Sequence, residues 1–223
     1  MDSSFLAAVA PADREALAER AAVRELPRRD VLFRQGEPAT ALYFALEGRI
    51  KLTQLTADGQ EVIVRYVGPG EVFAGVALLG GTSYPVTAEA AQDSRVLAWP
   101  AAEVQEVAAS TPSLALATTR VISERMREVQ DRFRELATER VARRVARSLL
   151  RLARQAGRRT EDGVLIDMPL SRQDLAEMNG TTLYTVSRLL SEWEGQGIVD
   201  AGRQRVVVRE PHRLVALAED LPP

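Results

Sequence analysis

LSRQDLAEMNGTTLYTVSRLL, residues 170–190, is the stretch from which the rest of the chain is read. Ser171 followed by Asp174 has the form of a capping box variant: a hydroxyl takes a free backbone N–H at a helix start, and an acid three residues on complements that positive end. The helix beginning there runs through Leu175, Ala176 and Met178 to Asn179-Gly180, a pair suited to a tight turn between helices. Thr181 or Thr182 can cap a second helix, closed by Gly195 and Gly197. Its 3.6-residue spacing sends Val186, Leu189, Leu190 and Trp193 inward and leaves Leu183, Tyr184, Ser187, Arg188 and Ser191 outside. Two helices of about 8 and 13 residues joined by a turn of three or four match a helix-turn-helix whose second helix enters a DNA major groove.

The exposed side chains fit that task. Arg188 can give two hydrogen bonds to guanine O6 and N7, and Ser187 can meet a base edge or a thymine methyl. Ser171, Arg172, Thr181, Thr182 and Thr185 are suited to phosphates. Residues 198–208 read as a two-stranded wing around Gly202, with Arg203 and Arg205 at its tip for backbone contact. A helical hairpin used only for packing is the competing reading, but it would place apolar residues where this second helix carries polar ones.

Moving toward the N-terminus, Val164-Leu165-Ile166 is strand-like, and residues 139–155 form a helix with Val141, Val145, Leu149, Leu150 and Leu152 inward and arginines outward, ended by Gly157. Before it, Pro112 can begin a long helix running past Arg134. Ile122, Met126, Val129, Phe133 and Leu136 follow one another at spacings of 4, 3, 4 and 3. Such a stripe fits the seam of a short two-stranded coiled coil or an amphipathic helix packed on its own domain. Its place between two candidate domains favours a dimer axis.

Residues 30–99 change character. Short apolar runs (Val31-Leu32-Phe33, Leu42-Tyr43-Phe44, Arg49 to Leu52, Val62-Ile63-Val64, Val86 to Ala90) alternate with Gly36, Gly48, Asp58-Gly59, Gly68-Pro69-Gly70 and Gly80-Gly81. That rhythm predicts a β-barrel or β-roll. Phe5, Leu6, Val9, Leu17 and Ala21, with Pro11 at an early turn, predict a helical lead-in over residues 4–22. The expected class is α+β, with a sensor roll over 1–110, a dimerisation helix and hinge over 111–138, and a winged reader domain over 139–223.

Composition narrows the chemistry. There is no cysteine, which excludes disulfides, thiolate zinc sites and a cysteine-bound iron–sulfur cluster. Before Arg140 the chain carries 15 basic and 20 acidic residues, and from Arg140 onward 14 and 11, so the halves are net −5 and +3. A nucleic-acid reader shows such asymmetry, although the same imbalance arises by chance. No nucleophile–base pair, metal cluster or phosphate loop is present, so an enzyme is not expected. No run of about 18 apolar residues and no signal-like N-terminus occurs, so a cytoplasmic protein without a membrane span is expected.

Taken together, Phe33-Arg-Gln-Gly-Glu37, Leu46-Glu-Gly-Arg-Ile50, Gly68-Pro-Gly-Glu71, Leu170 to Leu175 and Thr185-Val-Ser-Arg-Leu-Leu190 resemble the cyclic-AMP receptor protein and fumarate–nitrate regulator family over nearly the whole chain. The resemblance implies a homodimer joined along the long helix, a winged helix-turn-helix on each subunit, a palindromic double-stranded DNA operator and contact with RNA polymerase. It also implies an effector pocket around Gly70, Glu71, Phe73, Gly75, Tyr84, Pro85, Val86 and Thr87, touched by Arg127. Where cyclic-AMP-binding members carry a glutamate and an arginine-serine pair, this sequence has Gly75 and Pro85-Val86; where they offer hydroxyls to the purine, it has Val129 and Gln130. A buried phosphate would lose its charge-assisted bonds. A different small molecule, a haem, or no effector at all stays open, and so does a cyclic-nucleotide- or haem-binding module acting through a protein partner. The single histidine, His212, falls beyond the wing and reads as a surface residue. Tyr184 stands where many members have a glutamate that accepts from cytosine N4.

Overall fold

The computed structural model describes residues 15, 18–75 and 82–220, without side chains at 107–110 and 112–115. The lead-in residues Phe5 to Pro11 and Leu17, and the Gly80-Gly81 turn, lie outside the described residues. Two compact units divide the chain: residues 1–60 with 64–129, and residues 130–223 with 61–63.

Among the described residues up to Pro100, eight strands form two antiparallel sheets. One has the order β1 (Ala22–Leu26), β8 (Ser94–Pro100), β3 (Ala41–Glu47), β6 (Val72–Phe73); the other runs β2 (Val31–Phe33), β7 (Thr87–Ala90), β4 (Ile50–Leu55), β5 (Glu61–Val67). The period of two in β3 explains how the first sheet is buried on both faces. Tyr43 and Ala45 join Phe33, Ile50, Leu52, Phe73, Tyr84 and Val96 in a core shared by both sheets, which closes the roll. Leu42 and Phe44 point the other way, with Trp99, against Val104 of α1 (Ala101–Ser110) and Ala117 of α2 (Pro112–Thr138). The turn from β3 to β4 passes through Gly48 at φ +78°, where an added Cβ would strike the backbone of Asp93 and Ser94.

The interior of the roll is aromatic. Phe33 stacks on Tyr84 with centroids 3.8 Å apart and on Tyr43 at 5.6 Å, and Tyr43 stacks on Phe73 at 5.3 Å. The Tyr84 hydroxyl accepts from the N–H groups of Thr40 and Ala41 and donates to the Ala41 carbonyl. Burial, with Tyr84 alongside, pushes the Tyr43 phenol well above its ordinary range.

The second unit holds α3 (Val141–Ala156), the hairpin β9 (Gly157–Thr160) and β10 (Gly163–Ile166), α4 (Arg172–Asn179), α5 (Leu183–Gly195), β11 (Val199–Gly202), β12 (Arg205–Val208) and α6 (Pro211–Glu219). Its sheet order is β11-β12-β10-β9. Leu149, Leu175, Val186, Leu190, Trp193, Ile198 and Leu214 are fully buried. The expectation that the arginines of the 139–155 helix all face outward is corrected: Arg144 is buried in α3, where its Nη atoms donate to the carbonyls of Glu139 and Asn179. Strand β9 and helix α6 are additions to the elements expected from sequence, and Ala22, placed in the lead-in helix, already pairs with Ala98 in β1. No described helix is long and apolar enough to cross a membrane.

Candidate nucleic-acid interface

Ser171 starts α4 with a complete capping box. Its Oγ accepts from the Asp174 N–H at 3.0 Å, while Asp174 Oδ2 accepts from the Ser171 N–H at 2.7 Å. The helix ends at Gly180, whose φ of +57° is left-handed and lets its N–H return to the Ala176 carbonyl. Thr182 caps α5 by accepting from the Thr185 N–H at 3.2 Å, and the two threonine hydroxyls lie 3.0 Å apart. The sequence foresaw helices of 8 and 13 residues, and α4 and α5 have those lengths.

The faces of α5 divide as their spacing requires. Val186, Leu190 and Trp193 are fully buried, whereas Tyr184 is 77% exposed and Leu183, Arg188 and Ser191 are also exposed, with Ser187 half-buried. The fixed inner face therefore aims a mixed polar and apolar outer face at solvent. Arg188 has no hydrogen-bond or ion-pair partner among the described residues, and neither has Arg203 in the turn of the wing, ahead of Gln204 at φ +55°.

Other phosphate candidates are already engaged within the protein. The Ser171 hydroxyl is committed to its capping box and also donates to Asp174 Oδ2. Arg172 reaches the Ala201 carbonyl at 3.4 Å and Glu194 Oε2 at 3.6 Å, and Glu194 Oε1 accepts from the Ala201 N–H at 3.0 Å, so these two residues fasten the wing to α4 and α5. Arg205 pairs with Asp200 at 3.0 Å across the hairpin. Among the described residues the unengaged set is Thr181, Tyr184, Ser187, Arg188 and Arg203, with Thr182 and Thr185 at the positive end of α5.

Along α2 the stripe is open. Ile122, Met126, Val129, Phe133 and Leu136 range from 39% to 73% exposed. Solvent is a poor resting place for so many large apolar groups on one helix.

The positions expected around an effector differ in their surroundings. Phe73 and Tyr84 are core residues of the roll, Pro85 is exposed, and Val86 packs partly against the core. Thr87 Oγ1 accepts from the Gln35 N–H at 3.0 Å, and Gly75 approaches Leu42 closely. Arg127 is exposed, its Nε donating to the Ser123 carbonyl one turn back in its own helix. A charged helix residue that does reach the roll is Arg125, which sequence reading passed over. Its Nη2 lies 2.6 Å from Glu71 Oε2, the same oxygen that Arg65 Nη1 meets at 2.6 Å, while Glu71 Oε1 accepts from the Gly68 N–H. Burial would raise the Glu71 carboxyl, but the Arg65 and Arg125 guanidiniums outweigh it and hold the group below its usual range. Gly70, at φ +89°, forms the turn that delivers Glu71 to them.

Comparison with known proteins fits this geometry. The cyclic nucleotide-binding domain family matches residues 23–111, and the Crp-like helix-turn-helix domain family matches residues 143–217. The cyclic AMP receptor protein of Thermus thermophilus is 30% identical over 195 residues, 87% of this chain and 87% of that protein. The global nitrogen regulator of a Nostoc species is 29% identical over 191 residues, 85% and 86% of the two chains. The solved structure of FixK2 from Bradyrhizobium japonicum superposes with a TM-score of 0.77 at 28% identity, covering 88% of this chain and 96% of that one. With a β-roll, a long helix and a winged helix-turn-helix in the same order, and a relative alike over most of its length, the chain belongs to the cyclic-AMP receptor protein and fumarate–nitrate regulator family, whose matched members are DNA-binding transcription regulators.

Proposed function

We propose that this chain is a sequence-specific transcription regulator that binds a palindromic operator as a homodimer. The observation that carries the reading is α5 itself: capped at Thr182, pinned by a buried inner face, and presenting Tyr184 and an unpartnered Arg188 to solvent. A guanidinium so placed can enter a major groove and read a guanine, while Arg203 on the wing and Thr181, Thr182 and Thr185 at the helix start address phosphates. The open stripe on α2 supports self-association, which would bring two recognition helices to successive major grooves. The protein acts in the cytoplasm and works through RNA polymerase rather than by catalysis.

Cyclic AMP is not the effector in this reading. Pro85 and Val86 offer no guanidinium to a cyclic phosphate, and Phe73 and Tyr84 fill the roll with stacked rings. Any effector is a small molecule of another kind; the single histidine, His212, sits exposed at the start of α6, beside Glu210, and is remote in sequence from the roll.

The test is selection from a random duplex library, with the mass of the free protein measured in parallel. The expected result is a two-fold symmetric consensus bound by two copies, with affinity falling steeply as salt rises. Arg188→Ala is expected to cost about 1–3 kcal/mol and to relax the preference at one base per half-site. Tyr184→Glu is expected to change the preferred base at a neighbouring position; an unchanged consensus there removes Tyr184 from the readout. Failure to bind any duplex at low salt overturns the proposal.

A further inference from the structure

The second unit contains a buried polar chain that packing alone does not require. Glu135, near the C-terminal end of α2, is 6% exposed, and both its carboxylate oxygens accept from Nη1 of Arg151 on α3, at 2.8 and 2.9 Å. Arg151 Nη2 donates to Ser148 Oγ at 3.0 Å, and the fully buried Ser148 hydroxyl donates to Asn179 Oδ1 at 2.9 Å. Asn179 is the last residue of α4. Its Nδ2 donates to the Leu175 carbonyl at 2.7 Å, and its own carbonyl accepts from Arg144 Nη2 at 2.9 Å. Arg144 Nη1 returns to the Glu139 carbonyl, just past the end of α2. The next residue after Asn179 is Gly180, the left-handed turn that aims α5.

A set of directional bonds thus joins the end of α2, through α3, to the turn preceding the recognition helix. Apolar side chains of similar size often match or exceed a buried ion pair in stability. Here two buried donors, Arg144 Nε and Arg151 Nε, have no acceptor among the described residues, which is costly for a purely structural device. What such bonds supply better than packing is register, because each one fixes an angle as well as a distance.

We infer that Glu135, Arg151, Ser148 and Asn179 are a positioning relay that sets the aim of α5 according to the placement of the last turns of α2. The inference rests on the DNA-reading role proposed above and assigns the control of that site. A shift of α2 at Glu135 pulls on Arg151 and Ser148, and Asn179 passes the shift to the turn at Gly180. Operator affinity then responds to the dimer helix although none of the four residues is placed on the DNA-facing surface of α5.

The experiment is a double-mutant cycle of Glu135→Gln and Asn179→Ala, scored as the ratio of operator affinity to non-specific duplex affinity, with thermal unfolding measured alongside. Each single variant is expected to lower the ratio, and the double variant to fall short of the product of the two by about tenfold. Hydrogen exchange at residues 180–186 is expected to quicken in Glu135→Gln. Ser148→Ala cuts the relay at its centre without altering charge and replaces Asn179→Ala should that variant not fold. Additive effects, or lowered thermal stability with an unchanged affinity ratio, overturn the relay. Wild-type protein that selects no duplex overturns the DNA-reading role instead, so the two failures are distinct.

Discussion

The two compact units use their aromatic side chains in opposite ways. In the first, Phe33, Tyr43, Phe73 and Tyr84 are stacked inside the roll and at most 4% exposed. In the second, Trp193 anchors α5 from within while Tyr184 stands on its outer face at 77% exposure. The roll puts its large rings into cohesion, and the second unit keeps two on show, Tyr184 on α5 and Phe133 on α2. Substitutions in the first should therefore act on stability and those in the second on binding.

Tyr84→Ala carries the largest expected effect on this contrast. It removes a ring packed 3.8 Å from Phe33 and a hydroxyl that satisfies the backbone of Thr40 and Ala41, and should cost about 3–5 kcal/mol in urea titrations followed by circular dichroism. A stable Tyr84→Ala protein would break the distinction between the units. Next comes the stripe on α2: Met126→Asp combined with Phe133→Asp should yield a single-copy protein in sedimentation, with operator affinity reduced by roughly a hundredfold as avidity is lost. Retention of a dimer would place the interface elsewhere.

The smallest expected effect concerns Glu71. Because its folded carboxyl is held below the unfolded value of about 4.3, its stabilisation is present above that value and is lost as pH falls through the lower, folded one. Glu71→Gln should thus be less stable than wild type at pH 7, and the two should converge in acid. A gap that persists at low pH would mean that the ion pairs to Arg65 and Arg125 contribute little beyond shape.

The reader was legible in the sequence because its signals are local. The Ser171 box, Asn179-Gly180 and the spacing of Val186, Leu190 and Trp193 each lie within one or two turns of helix. The strand runs at Val31, Leu42 and Thr87 were legible for the same reason, through period and punctuation. Strand β9 was hidden, since Gly157-Arg-Arg-Thr160 has no apolar alternation and is held by backbone pairing to β10. The bond from Arg125 to Glu71 joins residues 54 apart, and ion pairs leave no periodic trace in a sequence. Burial of Arg144 could not be read from a helix rich in arginine, because its acceptors are carbonyls that every residue possesses. The stacking of Tyr43 on Phe73 was hidden for a related reason: the two rings are 30 positions apart in the chain, and nothing local in the sequence says that they touch.

The distribution of tryptophan has a practical outcome. The chain has two, Trp99 at 4% exposure in the first unit and Trp193 at 2% in the second. Replacing one or the other with phenylalanine yields a molecule whose intrinsic fluorescence reports on a single half, so melting of the roll and loosening of the reader can be timed separately in the same solution without an attached dye.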